Sequence, residues 1–355
     1  MTAITDPLVP PRDRLARARV LHWMLAAFLL LCALASLQVG AADVTLTALL
    51  GKLVSGEALS QMERVVLLDI RLPRLTMGIL VGAALAVSGA AMQGLFRNPL
   101  ADPGIVGVGA GAGLGAILAI VPGALLPAWV QELTGNHLTP FAAFLGGWGS
   151  TLLLYRVSTR HGRTSVATML LAGIALGALA GALSGILVYI ADDRQLRDLT
   201  FWGLGSLAGA SWAKVFAAGP LILLSIGAAL MLGRGLNALA LGEATAAHIG
   251  INVQHMKNIA ILAVAGAAGA AVAVSGGIGF IGIVVPHLLR LGSGPDHRTL
   301  LLNSALLGAS LLILADVIAR VIIAPAELPI GIVTAVLGAP VFLWILLKRR
   351  GMVET

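Results

Sequence analysis

The chain has 355 residues, of which 58% are hydrophobic and 11% charged, with 44 glycines and a formal net charge of +7. Soluble domains carry about 25% charged residues, so these proportions exclude an ordinary soluble globular protein. The positive charge falls between apolar runs and forms no basic face with aromatics, which excludes a nucleic-acid interface; the single Cys32 excludes a disulfide framework and a thiolate metal site.

An apolar helix needs about 20 residues to cross a bilayer. Hydropathy predicts ten such spans, at 21–41, 74–94, 102–122, 140–157, 166–190, 213–233, 257–275, 279–291, 303–323 and 329–347. The first follows Arg12, Arg14, Arg17 and Arg19. Its length, and the spans behind it, favour a retained span over a cleaved signal peptide. The second leads into Arg97, and the third and fifth carry glycines at every fourth residue: Gly107, Gly111, Gly115 and Gly173, Gly177, Gly181, Gly185. Such stripes let neighbouring backbones approach closely. The eighth span is short and Gly-rich, as expected of irregular backbone shielded by protein. In the ninth, Asp316 precedes Arg320 by four residues, a spacing that places the two on one helix face as an ion pair.

Placing the N-terminus inside puts 15 of the 23 Lys and Arg residues on the inner side, in accord with the positive-inside rule. Both termini are then cytoplasmic. The fold expected is an all-α polytopic membrane protein of about ten transmembrane helices. It forms one domain over residues 1–355, with a cytoplasmic tail at 1–20 and one sizeable cytoplasmic loop at 234–256.

Several chemistries are missing from the sequence. No G-x-x-x-x-G-K-[ST] phosphate loop, H-E-x-x-H or G-x-S-x-G is present. The seven His residues are scattered without metal-ligand spacing. Ionisable residues within spans mark proton relays and catalytic pairs, and here they are few. This weighs against an intramembrane enzyme and against the main alternative from another class, an ion-coupled secondary transporter. A transporter with neither ion site nor phosphate loop draws its energy from a partner.

Three segments carry a family likeness. One is Arg71-Leu-Pro-Arg74 followed by Gln93-Gly-Leu-Phe-Arg-Asn-Pro-Leu-Ala-Asp-Pro-Gly104. The next is Leu239-Ala-Leu-Gly-Glu-Ala-Thr-Ala-Ala-His-Ile-Gly250. The last is Gly279-Phe-Ile-Gly-Ile-Val-Val-Pro-His-Leu-Leu-Arg290, with Asp296-His-Arg298 and Glu327-Leu-Pro-Ile-Gly331 beyond it. Together they resemble the FecCD-type permeases, the membrane subunits of ABC importers for iron-siderophores, haem and cobalamin.

The resemblance implies a homodimer in a bacterial inner membrane, with the cargo path along its two-fold axis. Two cytoplasmic ATPase subunits, which bind the ATP and Mg, dock below, and a periplasmic binding protein docks above. The chain itself binds no cofactor and is not an enzyme. The resemblance assigns ATPase coupling to Ala240, Leu241, Gly242, Glu243, Ala244, Thr245, Ala246, Ala247 and His248. It assigns binding-protein docking to Arg71, Arg74 and Arg320, and the cytoplasmic gate to Thr164, Ser165, Val166, Ala167 and Thr168. Phe201 and Trp202 fall on the translocation path. The phrasing around Gln93 and Asp193–Trp202 is similar to the haem branch, which makes haem the expected cargo and a ferric siderophore or cobalamin the alternative.

Overall fold

Within lipid every backbone polar group must find its partner inside the protein, and the chain meets this demand with helices. The computed structural model describes residues 11–40, 45–160 and 163–350. Helices α1 (Pro11–Gln38), α2 (Leu46–Ser55) and α3 (Gln61–Arg64) open the chain. A π-helical stretch, Val65–Arg71, joins α3 to α4 (Leu72–Leu95) as one 35-residue rod. Next come α5 (Val108–Ile120), the short α6 (Ala128–Thr134) and α7 (Leu138–Ser158). Two-residue strands β1 (Thr159–Arg160) and β2 (Arg163–Thr164) pair antiparallel, with Thr159 opposite Thr164. The remainder is α8 (Val166–Ile190), α9 (Asp193–Leu204), α10 (Trp212–Met231), α11 (Gly233–Ala240), α12 (Glu243–His248), α13 (Val253–Ser275), α14 (Ile281–Ser293), α15 (His297–Val321) and α16 (Ile330–Arg350).

Among the described residues, α1, the α3–α4 rod, α5 continued through the 3-10 turn to Leu125, α8, α10, α13 and α15 are long and apolar enough to cross a bilayer. The shorter apolar α14 and α16 occupy the expected eighth and tenth spans. α7, rich in Gly, Ser and Thr, occupies the fourth.

Several boundaries differ from the sequence expectation, among them the start of the second span at Gln61 and of the ninth at His297. Residues 11–20 are helical and continuous with α1, while 1–10 lie outside the described residues. The third span starts at Val108 and not at 102, because Pro103 opens a 3-10 turn that ends at Gly107 with φ of +77°. Residues 46–64 form two helices where no span was expected.

α4 is the central helix and packs against α10, α13, α14 and α15. Its residues are buried on every side, from Leu75 to Leu95 with Thr76 and Ile79 the partial exceptions. That burial explains its apolar circumference. Small residues set the contact distances. A Cβ added at Gly82 would overlap the Gly308 carbonyl of α15, and one at Gly89 would overlap the Gly282 carbonyl of α14.

The two expected glycine stripes have different fates. Gly111 and Gly115 press on the backbone of α7 at Gly146 and Ala142. Gly177, Gly181 and Gly185 of α8 face open space, beside exposed Leu171, Ile174 and Ile186.

Candidate functional site

At the inner end of the bundle, α11 leads into a tight corner. Leu239 and Leu236 are buried and hold α11 down. Gly242 adopts φ of +109°, a conformation that a side chain resists, and this lets the chain turn into α12. Only Ala246 of α12 is buried. Ala244, Thr245, Ala247 and His248 are exposed, with the His248 ring bonded back to the Ala244 carbonyl at 2.7 Å. Leu241 and Ile249, 70% and 61% exposed, flank the helix at either end. Two bulky aliphatic side chains beside a stripe of alanines make a shallow surface that has lost little entropy and can be covered by a partner. Ala240 and Glu243 complete the set assigned to coupling. Ile249 stands one residue past that stretch.

The segment assigned to the gate adjoins this surface. Thr164 is buried at the end of β2. Ser165 is the N-cap of α8, accepting from the Thr168 amide at 3.3 Å and from the Thr168 hydroxyl at 3.0 Å. Val166 begins the helix, and Ser165, Ala167 and Thr168 are exposed. The hydroxyl residues are thus divided, with one buried in the hairpin and two capping the exposed mouth of α8.

At the outer end the three arginines form an internal cluster. Arg74 meets Glu327 through two parallel bonds of 2.9 Å and also meets Asp316 at 2.9 Å. Asp316 meets Arg320 at 3.1 Å, the pair expected from their spacing. Arg320 donates to the Val39 carbonyl at 2.7 Å and to the Ser36 hydroxyl at 3.0 Å. Arg71 donates to the Leu37 carbonyl at 2.6 Å.

Arg71 and Arg74 are 5% and 8% exposed. Arg74 keeps the two carboxylates that compensate its desolvation, while Arg71 is held on the Leu37 carbonyl. Their visible work is to tie the end of α1, the start of α4, the end of α15 and the loop at Glu327 into one outer cap. Glu327, with 37% of its side chain exposed, is the part of the cluster that faces outward.

Between these ends lies a cavity of about 340 Å³. Leu85 of α4, Val108 of α5, Trp202 of α9 and the unwound Gly277 and Gly279 line it, and Asp102 borders it. α9 ends where Gly276 and Gly277 pass close to the carbonyls of Trp202 and Gly203. The Trp202 carbonyl accepts from the Gly277 amide at 3.3 Å. Phe201 and Trp202 therefore stand where the end of α9 meets the interruption between α13 and α14. Phe201 is 55% exposed, while Trp202 turns toward the cavity. Asp102 precedes the 3-10 turn as its N-cap and lines the cavity. Its carboxylate accepts from the Gly104 amide at 2.7 Å. Among the described residues no three His, Cys, Asp or Glu side chains converge on a metal-sized site.

The model of the FecCD transport family matches residues 28–348. The chain belongs to the FecCD transport family. Relatives include the hemin transport system permease of Yersinia pestis, 47% identical over 283 residues that make up 80% of this chain and 83% of that one. The vitamin B12 import system permease of Escherichia coli O9:H4 is 46% identical over 286 residues, 79% of this chain and 83% of the relative. Among solved structures, a metal-chelate type ABC transporter in an inward-facing conformation matches with a TM-score of 0.80. It is 32% identical and covers 93% of this chain and 99% of that one. The FecCD assignment agrees with the nearly all-helical, multi-pass architecture.

Proposed function

We propose that this chain is the membrane-spanning permease subunit of a binding-protein-dependent ABC importer that carries haem from the periplasm to the cytoplasm of a bacterium. ATP hydrolysis in a separate pair of ATPase subunits drives the cycle. Two copies of the chain assemble in the inner membrane with the cargo path along their shared axis, and a periplasmic binding protein docks on the outer cap.

The observation that carries the mechanism is the inner surface around α12. Leu241 and Ile249 are exposed there beside small residues, on a loop rigidly seated by Leu236 and Leu239. Bulky aliphatics exposed at a water-facing end call for a covering partner. The open apolar face of α8 supports a second copy as its cover and lines the path with weakly interacting groups. Phe201 and Trp202 stand at the outer part of that path, and Thr164 to Thr168 gate its inner mouth. Docking above uses the surface that the arginine cluster organises, with Glu327 at its rim. Haem is supported by the likeness to the hemin permease and by the local phrasing around Gln93 and Asp193. A cobalamin or ferric siderophore cargo is the second reading, favoured by the almost equal identity to the vitamin B12 permease.

The experiment is ATP-dependent uptake into proteoliposomes that hold the permease with its ATPase and binding protein. Haem, a ferric siderophore and cobalamin are compared side by side. Selective haem uptake is expected. Uptake of another chelate replaces the cargo and keeps the mechanism, and gradient-driven uptake without the ATPase overturns the mechanism.

A further inference from the structure

The surface assigned to the ATPase and the hairpin assigned to the gate share one buried cation. Lys257 stands in the second turn of α13, and its side chain is 3% exposed. Its ammonium meets the Glu243 carboxylate of α12 at 2.7 Å and the Thr164 carbonyl of β2 at 3.1 Å. A buried ammonium is tolerated only where acceptors surround it. Here one acceptor comes from each of two elements that no covalent chain of fewer than about 80 residues connects.

The rest of Thr164 is held in the same place. Its amide donates to Gln254 Oε1 at 3.1 Å, and its hydroxyl accepts from Gln254 Nε2 at 2.9 Å. Gln254 Nε2 also donates to Asn258 Oδ1 at 2.7 Å, which accepts in turn from the Tyr155 hydroxyl of α7 at 2.6 Å. The amide, carbonyl and hydroxyl of Thr164 are therefore all gripped by the start of α13. Across the hairpin the Thr164 hydroxyl meets that of Thr159 at 2.9 Å. The residue after Thr164 is the N-cap of α8, whose open face borders the proposed path.

We propose that Lys257 is the positioning residue that transmits movement of α12 to the gate hairpin, with Gln254 as its second grip. This rests on the reading of α12 as the ATPase-docking helix. If a partner shifts Glu243 while Thr164 stays, the ammonium loses the one carboxylate it has among the described residues and remains buried. The low-cost response is for α12, the head of α13 and the hairpin to move as one body, which carries the N-cap of α8 with them. Packing alone would not impose this, because an apolar contact can slide where a buried charge cannot be abandoned.

The test uses the whole complex in proteoliposomes with Lys257→Met, which keeps the volume and removes the charge. The subunits are expected to co-purify in the wild-type ratio and to hydrolyse ATP. Uptake per ATP hydrolysed should fall roughly ten-fold, within the range that changes along a coupling network produce. Lys257→Arg, which keeps charge and donors, should recover most of it. Gln254→Ala provides a second variant and should also uncouple. In the permease without its partners, hydrogen exchange over residues 158–168 should rise in Lys257→Met, because the grip on Thr164 is loosened.

An unchanged ratio of uptake to hydrolysis in both Lys257→Met and Gln254→Ala overturns the proposal. So does loss of co-purification in Lys257→Met, which would make the residue part of docking. Failure of the underlying reading looks different: the wild-type complex would show no ATP-driven uptake at all.

Discussion

Replacing Asp316 by Asn should cost far more than replacing Glu327 by Gln, although both carboxylates meet Arg74 at 2.9 Å. The Asp316 side chain is 3% exposed, and it compensates both Arg74 and Arg320, themselves 9% and 7% exposed. Its loss leaves Arg320 with neutral partners alone, the Ser36 hydroxyl and the carbonyls of Ser36 and Val39. Removing one side of a buried ion pair costs about 3–5 kcal/mol, because the remaining charge stays desolvated. Glu327 is 37% exposed, and Arg74 retains Asp316 when it is lost. An ion pair open to water on one side is worth about 0–1 kcal/mol. Reversible unfolding of the purified permease in mixed micelles, read by the denaturant midpoint, measures both variants under the same conditions. The reasoning fails if the two variants lose equal stability, or if Asp316→Asn matches the wild type. Equal losses would mean that burial of Asp316 does not isolate it from water, and that the outer cap is held by packing.

Other outcomes follow from the same contacts. Gly89→Ala should destabilise the permease by about 1–3 kcal/mol through overpacking against Gly282. Gly177→Leu should leave the subunit folded, since nothing stands near that position, but should break the proposed dimer; size-exclusion chromatography with light scattering tests this. Leu241→Glu together with Ile249→Glu should abolish co-purification with the ATPase, because both side chains are exposed on the proposed contact surface. A bulky residue at Gly242 is a poor substitute for that test, since φ of +109° makes any side chain strain the corner itself. Ser165→Ala should cost about 1 kcal/mol at the start of α8 by removing its N-cap, visible as faster hydrogen exchange in the first turn.

How far the sequence reached is clearest in the outer cluster. Arg71, Arg74, Asp316 and Arg320 were all identifiable, and the spacing of the last two correctly anticipated a pair. Local periodicity could not bring Arg74 to Asp316, which is 242 positions away. That contact makes Arg74 a fastening of the cap, beside the docking role proposed for this end. The inner end has the same history. Glu243 and Thr164 were assigned to separate tasks, and Lys257 passed as a basic residue at the edge of a span. Only the approach of α13 to the hairpin makes the three neighbours. A single lysine just inside an otherwise apolar run was the available signal.

The glycine stripes divide in the same way. Their four-residue spacing fixes that a smooth face exists on α5 and on α8, since spacing along a helix is a local property of the chain. Which face is filled depends on where other helices lie, and α7 covers one while the other remains open.

The sequence by itself determined that this is a multi-pass helical membrane protein, where most spans begin and end, and which family it belongs to. Those properties follow from apolar length, charge bias and contiguous motifs, all readable along the chain. The tertiary structure decided the partners of buried charges, the place of Asp102 beside the cavity at Trp202 and the link between α12 and the hairpin. Each of these is a compensation between residues far apart in sequence. Low dielectric makes such compensations obligatory once the chain has folded, yet it leaves no periodic trace by which to find them beforehand.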